Sequence, residues 1–507
     1  MNGVMRNKMR RIIIMDKPLL IGILHLDIRH GSPGENRASL LANAEEAAAR
    51  GAQIIMAPEL TISGYSFESM DEIAPYSEEL TGETVTALSR LTRRYGIYVG
   101  TGMAEYDGKT GILYNSSVML GPEGSIVAHH RKHVAEHRWS CPGQPSAASF
   151  FDTPWGKVGL LICADTYYGL LPRGHALRGA DLFIISANWP LSGLDPRELW
   201  RARALENGVG LIAANRTGLD RYMDCRNAPS YAVAPDGRVL LDATSEMSRI
   251  FYVEYPLEEH RFPSKLRHEI VATRCPRDYN GIVLDASGLD DFPARWRLPA
   301  SGTIKIQCLI PAANSSFKES VLDKIQAMEG NTDLLVLPCG GKHISLKEIA
   351  LYTAKTDIAV ATETLSPEGN AIPVFLARGH ITYMATTADS IIADFSSARI
   401  ALVRSSALYH PETAVALSKQ GCDIIVSQVG ALDRDSRLLL GIKCLERAVI
   451  VIAGSNGATI CAPPEGHERW HETTLHDPGV CTAFVNTALT RKKRFLDRVD
   501  LEALLTR

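Results

Sequence analysis

The chain has 507 residues, of which 45% are hydrophobic and 22% charged, and its formal net charge is −3. These values indicate a globular protein with room for two or three domains, and they argue against a surface for nucleic acid or a membrane. The ten cysteines show no paired spacing, which favours reduced thiols in a cytoplasmic protein over disulfides or a zinc site. Residues 1–16 lack the apolar core of a signal peptide, and no stretch approaches the roughly 20 apolar residues that span a bilayer.

Predicted elements in the first half alternate between strands and helices. A strand at 19–24 and a helical stretch at 37–50 precede an apolar run that ends at Glu59. Farther along, the apolar run 158–162 leads directly into Cys163. Continuous apolar strands that alternate with helices indicate sheets covered on both faces, so an α/β layered domain is predicted.

The second half repeats this order of elements. A strand at 304–310, a helical stretch at 317–329 and an apolar run that ends at Cys339 follow one another as in the first half. Two later pairs of segments also correspond, 179–185 with 421–426 and 204–207 with 444–447. A period of this length indicates a duplicated domain rather than a solenoid.

The duplication predicts two domains in one chain. We expect the first at 18–290 and the second at 302–507. The stretch near 285–302, which is rich in Asp, Gly, Pro, Ser and Arg, is the expected joint between them.

Three side chains of the first half are suited to covalent chemistry. Cys163, at the end of a buried strand, is a candidate nucleophile. Glu59 is a candidate general base whose pKa burial would raise, and Lys132 could hold a thiolate or an oxyanion. Alone, Cys163 would more often be an inert core thiol, Glu59 a cap or surface residue, and Lys132 part of a solvated turn. Their joint order, each after an apolar strand, favours the catalytic interpretation.

The second half has different residues at these positions. Aligning the two halves places Ser405 opposite Cys163 and Cys339 opposite Glu59, and the stretch where a partner of Lys132 should fall contains no lysine. We therefore expect an inactive copy, although Cys339 and Ser405 leave a new site open as an alternative.

The motifs resemble those of the nitrilase superfamily of carbon–nitrogen hydrolases. The residues that carry the resemblance are Ala57-Pro58-Glu59-Leu60 with Gly64-Tyr65, Arg131-Lys132-His133, Gly159–Asp165, Ala187-Asn188-Trp189-Pro190, Trp200–Asn207 and Ala214–Gly218. The resemblance implies a four-layer α-β-β-α sandwich for each half, with a Glu-Lys-Cys set at Glu59, Lys132 and Cys163. It also implies a second glutamate at Glu136 and no metal or cofactor. Because relatives pair two identical domains, an intrachain pseudo-dimer is expected, with a further homo-oligomer left open.

Within that superfamily the sequence is most similar to the amidase and ω-amidase branch. This resemblance implies cysteine-dependent hydrolysis of a small linear amide through a thioester, with release of ammonia or an amine. Nitrile hydrolysis, N-carbamoyl hydrolysis and acyl transfer to an amine are alternatives in the same site. A non-catalytic scaffold or binding protein is the alternative from another class.

Six further residues are candidates for substrate binding. The backbone N–H of Ala164 is expected to help hold the oxyanion, and Tyr65, Trp139, Tyr168 and Trp189 are expected to line the pocket. Arg173 lacks the neighbouring Pro-Glu found in relatives, which leaves two alternatives: it binds a substrate anion, or it is solvated or paired elsewhere.

Overall fold

A computed structural model describes residues 18–286, 289, 291–310, 332–338, 345–366, 369, 371–383, 390–466, 468–496 and 498–506. The predicted helical stretch at 317–329 and Cys339 lie outside the described residues. The strands up to residue 272 are β1 (Leu19–His25), β2 (Ile54–Met56), β3 (Tyr98–Asp107), β4 (Ile112–Leu120), β5 (Ile126–Arg131), β6 (Phe150–Thr153), β7 (Gly156–Ile162), β8 (Leu182–Ser186), β9 (Gly210–Ala214), β10 (Ser230–Val233), β11 (Val239–Ala243) and β12 (Arg249–Tyr255). The later strands are β13 (Thr303–Ile310), β14 (Leu334–Val336), β15 (Ala359–Leu365), β16 (Ala371–Ala377), β17 (His380–Tyr383), β18 (Ser390–Phe395), β19 (Ala398–Arg404), β20 (Ile424–Gln428), β21 (Val449–Gly454), β22 (Gly457–Ala462), β23 (His471–Leu475) and β24 (Gly479–Asn486).

The α-helices are α1 (Pro33–Ala49), α2 (Met70–Ile73), α3 (Glu83–Tyr95), α4 (Leu170–Leu177), α5 (Pro196–Asn207), α6 (Lys265–Ala272), α7 (Phe292–Arg295), α8 (Leu346–Thr353), α9 (Ser405–Leu408), α10 (Pro411–Lys419), α11 (Arg434–Gly441), α12 (Thr487–Thr490) and α13 (Leu501–Leu505). Short 3₁₀ helices span Ala74–Tyr76, Ala147–Ser149, Cys163–Thr166, Pro276–Asp278, Asn280–Val283 and Ile442–Glu446. No helix in these described ranges combines the length and the apolar character needed to cross a membrane.

Local sequence signals explain where the longer helices begin and end. Helix α5 begins after Asp195, whose side chain accepts a hydrogen bond from Arg197 N at 2.9 Å, and Pro196 occupies the first turn. The helix ends at Gly208, which has a φ of 61°. Gly96 ends α3 in the same way, with a φ of 69°. Glycine adopts this left-handed conformation without the steric cost of a Cβ.

The chain divides into two compact units. The first unit contains the described residues up to Ala272 together with Leu496–Ala503, and the second contains Thr273–Phe495 together with Leu504 and the described residues after it. The division falls before the predicted joint at 285–302, because Arg274 already bonds within the second unit, where its Nε donates to Glu412 Oε1 at 2.8 Å. The predicted joint rests on a composition typical of loops, whereas the division between the units depends on which residues contact one another.

The first unit contains two six-stranded sheets, with the strand orders β12-β1-β2-β3-β4-β5 and β11-β10-β9-β8-β7-β6. Their facing sides share one buried core that includes Ile21 and Met56 from one sheet and Leu160 and Ile184 from the other. Helices α1 and α3 cover the first sheet, and α5 packs on β9 and β10 of the second. Fully burying an aliphatic side chain of this kind contributes about 1.5–3 kcal/mol.

The second unit also contains two six-stranded sheets, with the orders β17-β16-β15-β14-β13-β24 and β18-β19-β20-β21-β22-β23. These are the orders of the first unit, with β13 in the place of β1, β14 in the place of β2, and so on to β24 in the place of β12. Ile304 and Val336 of one sheet share a core with Ile400 and Val426 of the other. The predicted α/β fold, with two sandwich domains in one chain, is confirmed.

Candidate active site

Glu59 lies in a tight turn after β2. Leu60 has a φ of 48°, in the left-handed region. Gly102 of β3 approaches this turn closely: its N–H donates to Pro58 O at 3.0 Å, and a Cβ at Gly102 would lie 2.6 Å from the Glu59 Cα. Close backbone packing therefore fixes the main chain at Glu59, whose side chain is fully buried.

Cys163 begins a single 3₁₀ turn at the carboxyl end of β7. Its φ of 43° lies in the left-handed region, where a residue with a side chain incurs a cost of about 1–3 kcal/mol. Thr166 Oγ1 donates to Cys163 O at 2.8 Å, and Ile162 N donates to Asp165 Oδ2 at 3.1 Å. These bonds on either side of the thiol stabilise the strained backbone.

Lys132 follows β5, and its N–H donates to Asn115 O at 2.8 Å. The buried Nζ lies 2.6 Å from Glu59 Oε1 and also contacts Glu136 Oε1. One ammonium and two carboxylates therefore share one buried cluster.

Asn115 of β4 joins the two carboxylates of this cluster a second time. Its Nδ2 donates to Glu59 Oε1 at 2.7 Å and to Glu136 Oε2 at 2.9 Å. On the other side of Glu59, Asn188 N donates to Oε2 and Asn188 Nδ2 donates to the backbone oxygen, each at 2.9 Å. The two carboxylates are therefore oriented by amides as well as by the lysine.

Burial and the neighbouring charges together determine the protonation of the cluster. It raises the pKa of the Cys163 thiol well above its ordinary value, and the neighbouring Glu59 carboxylate adds to the rise. Burial also raises the pKa of Glu59, against the opposing effect of Lys132. Burial alone would lower the pKa of Lys132, but the carboxylates of Glu136 and Glu59 raise it well above its ordinary value. The resting cluster therefore holds a neutral thiol beside a charged lysine, and the thiol must lose its proton before it can act as a nucleophile.

A buried network ties the nucleophile turn to the loop that follows Lys132. Asp165 Oδ1 accepts hydrogen bonds from the backbone N–H groups of His133 and Val134, each at 3.0 Å. Asp165 Oδ2 lies 2.8 Å from His130 Nε2. Although burial opposes it, the contact with His130 and the backbone bonds lower the pKa of Asp165 to about 2, so its carboxylate is ionised.

Three of the predicted pocket residues lie beside the cluster. Tyr65 Oη donates to Glu136 Oε1 at 3.1 Å, and the Tyr65 ring lies 5.8 Å from Lys132 Nζ. Trp139 is buried, packs with Tyr65 in one apolar group and donates its backbone N–H to Glu136 O at 3.1 Å. Ala164 is the second residue of the nucleophile turn, where a helix leaves the backbone N–H without an internal acceptor.

The other three predicted pocket residues have different surroundings. Arg173 is fully buried, and its Nη2 donates to Glu206 O at 2.7 Å, which favours the alternative that this side chain is paired elsewhere. Trp189 is also buried, with its indole N–H donating to Leu194 O at 3.0 Å. Tyr168 is half-buried and follows the nucleophile turn.

Sequence reasoning does not identify Asn115, Asn188 or His130. The signal that could have singled out Asn115 is the polar run Asn115-Ser116-Ser117 between apolar residues of β4, because buried polar groups need partners. Asn188 lies inside a motif from which only Trp189 is predicted to act. His130 gives no local signal, because its partner Asp165 lies on a distant segment.

Comparison with known proteins identifies the relatives of this chain. The profile of the carbon-nitrogen hydrolase family matches residues 20–262. A nitrilase of Pyrococcus abyssi is 36% identical over 228 residues, which are 44% of this chain and 85% of that protein. Omega-amidase NIT2-A of Xenopus laevis is 33% identical over 233 residues, 42% of this chain and 79% of that protein. The crystal structure of Saccharomyces cerevisiae Nit3, a member of branch 10 of the nitrilase superfamily, is 25% identical with a TM-score of 0.44, over 50% of this chain and 94% of that chain.

These matches define an enzyme that hydrolyses carbon–nitrogen bonds other than peptide bonds. The chain belongs to the nitrilase superfamily, because it is 36% identical to the Pyrococcus abyssi nitrilase over 85% of the length of that protein. The resemblance drawn from the motifs is confirmed at the level of the superfamily.

Proposed function

We propose that this enzyme hydrolyses a small linear amide through a thioester on Cys163 and releases ammonia or an amine. The observation that carries the proposal is the single buried cluster of base, ammonium and thiol. Glu59 contacts Lys132 Nζ at 2.6 Å, and its carboxylate lies near enough to the Cys163 thiol to raise the pKa of that thiol, in addition to the effect of burial. The omega-amidase named among the relatives supports an amide substrate.

In the first half of the proposed reaction, Glu59 takes the thiol proton as the sulfur of Cys163 attacks the carbonyl carbon. The carbonyl electron pair moves onto oxygen, and the oxyanion is stabilised by Lys132 and the N–H of Ala164. The protonated Glu59 then gives its proton to the nitrogen as the carbon–nitrogen bond breaks. A thioester and a free amine result.

In the second half, Glu59 takes a proton from water as the water oxygen attacks the thioester. The carbon–sulfur bond breaks, a carboxylic acid forms, and the Cys163 thiolate recovers its proton from Glu59. Because burial raises the pKa of Glu59, this carboxyl group is suited both to accept and to return a proton. Glu136 orients Lys132 through their direct contact.

The residues that contact the substrate are also proposed. We assign Tyr65, Trp139 and Tyr168 to the pocket wall, supported for Tyr65 by its hydrogen bond to Glu136 and for Trp139 by its packing with Tyr65. Arg173 and Trp189 are proposed to act through packing instead, since both side chains are buried with backbone acceptors.

The test is a substrate panel of linear amides, nitriles and N-carbamoyl compounds, with and without an added amine acceptor. Ammonia release and the intact mass of the protein are recorded together. Amide turnover with an acyl adduct on Cys163, both absent in Cys163→Ala and retained in Cys141→Ser, is the expected result. Turnover of nitriles or carbamoyl compounds alone would assign the alternative chemistry. No turnover and no adduct across the panel would favour a scaffold.

We further propose that the chain is a tandem duplication, with a catalytic domain at about 18–290 and an inactive domain at about 302–507. The identical strand orders of the two units support this. The sheet registers also support it: Ile162 pairs with the last residue of β8, and Arg404 pairs with the last residue of β20. The residue after each is Cys163 in the first unit and Ser405 in the second.

Reactive thiols provide the test of an inactive second domain. Cys163 is expected to be the one cysteine per chain whose labelling is blocked by an amide substrate, whereas a second substrate-protected site at Cys339 would contradict the proposal. Intrachain pairing of the two domains and a cytoplasmic location stay predictions. Mass measurement in solution and cell fractionation test them.

A further inference from the structure

We propose that Asn115 is a positioning residue that directs the thiol proton to one particular oxygen of Glu59. This inference rests on the proposed role of Glu59 as the base. It follows from counting the donors that each carboxylate oxygen already accepts.

The two oxygens of Glu59 have different partners. Oε1 accepts from Lys132 Nζ at 2.6 Å and from Asn115 Nδ2 at 2.7 Å. Among the described residues, Oε2 accepts one amide donor, the N–H of Asn188 at 2.9 Å. A carboxylate oxygen offers about two lone-pair sites, so Oε1 is saturated and Oε2 keeps one site for the proton of Cys163.

Asn115 also controls the charge balance of the cluster. Its second N–H bonds Glu136 Oε2 at 2.9 Å, while Lys132 Nζ contacts Glu136 Oε1. Two buried carboxylates that share one ammonium repel each other and tend to take up protons. An amide provides two donors to this pair without adding a third charge.

The orientation of the amide is consistent with this role. Within the described part of the chain, the buried Oδ1 of Asn115 has no hydrogen-bond partner. Leaving a buried acceptor unpaired costs about 1–3 kcal/mol. The two hydrogen bonds from Nδ2 to the carboxylates therefore determine the orientation of the Asn115 side chain. Pairing every polar atom of the amide does not explain it, because Oδ1 is left without a partner among the described residues.

The second unit provides an independent comparison. Asn115 pairs with Ala104 across β3 and β4, and Ala371 pairs with Leu365 across β15 and β16. Ala104 and Leu365 occupy equivalent positions, because each is the seventh residue of its strand, β3 or β15. The two strands start in the same register, since the first residue of β3 pairs with the first residue of β2 and the first residue of β15 pairs with the first residue of β14. In the unit where Ser405 stands at the nucleophile position, the amide is therefore replaced by a methyl group.

The experiment compares Asn115→Leu, Asn115→Asp and a matched control, Ser117→Ala, in the full-length chain. Ser117 lies in the same strand, and its buried hydroxyl has no partner among the described residues. Two quantities are measured against pH: the rate of Cys163 alkylation by iodoacetamide, followed by peptide mapping, and kcat/KM for amide hydrolysis.

We expect Asn115→Leu to lower kcat/KM by on the order of 100-fold, as a misplaced catalytic group can, with unchanged circular dichroism. Asn115→Asp adds a third carboxylate, so both pH profiles should shift upward by about one unit. Ser117→Ala should match the wild type in both profiles. A loss of kcat/KM in a folded Asn115→Leu protein, with an unchanged Ser117→Ala protein beside it, is a result that a merely structural residue would not give.

A folded Asn115→Leu protein whose kcat/KM stays within about threefold of wild type would overturn the proposal. If Asn115→Leu does not fold, an unshifted alkylation profile in Asn115→Asp overturns it instead. Failure of the proposed function can be told apart from failure of this inference. Wild-type protein that is alkylated at Cys163 but hydrolyses no amide contradicts the proposed function. The alkylation profiles would still decide the role of Asn115.

Discussion

His130 Nε2 lies 2.8 Å from Asp165 Oδ2, so the strand that leads to Lys132 is joined to the turn that carries Cys163. The two elements belong to different sheets, β5 to one and β7 to the other. The ammonium and the thiol are therefore aligned by a pair of groups that touch neither of them.

Asp165→Asn tests this alignment. The amide keeps the size of the side chain but loses the charge that strengthens its bonds to His130, His133 N and Val134 N. We expect kcat/KM to fall by about 10- to 100-fold, since small displacements of reacting groups are costly. His129→Gln, which changes the neighbouring histidine that contacts Glu105 instead, is the matched control. Unchanged activity in Asp165→Asn would refute the alignment role.

Gly102→Ala tests the packing beneath the base. The added methyl group would lie 2.6 Å from Glu59 Cα and 2.7 Å from Pro58 O, both backbone atoms that cannot move aside cheaply. We expect loss of most amidase activity and a decrease of roughly 1–3 kcal/mol in the free energy of unfolding, the usual cost of overpacking. Urea unfolding and kcat/KM measure the two effects. Gly34→Ala, whose added methyl group meets nothing within 4 Å, should change neither by much.

Lys132→Met tests the electrostatics of the cluster. Without the ammonium, Glu59 and Glu136 remain as buried carboxylates, and removing one partner of a buried pair costs about 3–5 kcal/mol. We expect lower stability to urea and no measurable amide turnover. Adding Glu136→Gln to this variant should restore part of the stability but none of the activity. If the Lys132→Met variant alone were as stable as wild type, the two carboxyl groups would have to be protonated when the lysine is absent.

Acid should destabilise the fold through buried histidines. Burial lowers the pKa of His25 and of His133 from 6.5 to about 4, and that of His175 to about 3. As pH falls below 6.5, the unfolded chain binds protons at these residues while the folded chain does not, so the free energy of unfolding decreases, down to about pH 4 for His25 and His133 and to about pH 3 for His175. Urea midpoints measured across this window check the prediction.

Single histidine variants separate this effect from general acid unfolding. His25→Asn should make the urea midpoint less dependent on pH, because it removes one of the groups that titrate only in the unfolded chain. His268 is exposed, and His268→Gln should leave the pH dependence as it is. Equal slopes in both variants would contradict the assignment to buried histidines.

The positions of Glu59 and Cys163 could be predicted because each follows its own short apolar strand, a signal contained in neighbouring residues. The role of Asn115 could not, since it depends on how β4 pairs with β3 and on which loops meet above that pair. The same reason applies to Arg173: its missing neighbour left two alternatives open, an anion-binding side chain or one paired elsewhere, and the contact with the backbone of α5 favours the second. Local sequence patterns predict strands and helices, whereas the role of a side chain depends on contacts between segments that are distant in the sequence.

The membership of Leu496–Ala503 in the first unit has a consequence for biosynthesis. In this segment, Arg498 O lies 3.0 Å from His133 Nδ1, and Asp500 Oδ2 accepts from Arg178 Nε at 2.7 Å. A ribosome produces these residues only after Thr273–Phe495, which is nearly all of the second unit. The hydrolase unit is therefore still missing a segment next to its lysine loop while most of the chain is already outside the ribosome, and no single proteolytic cut can release it whole.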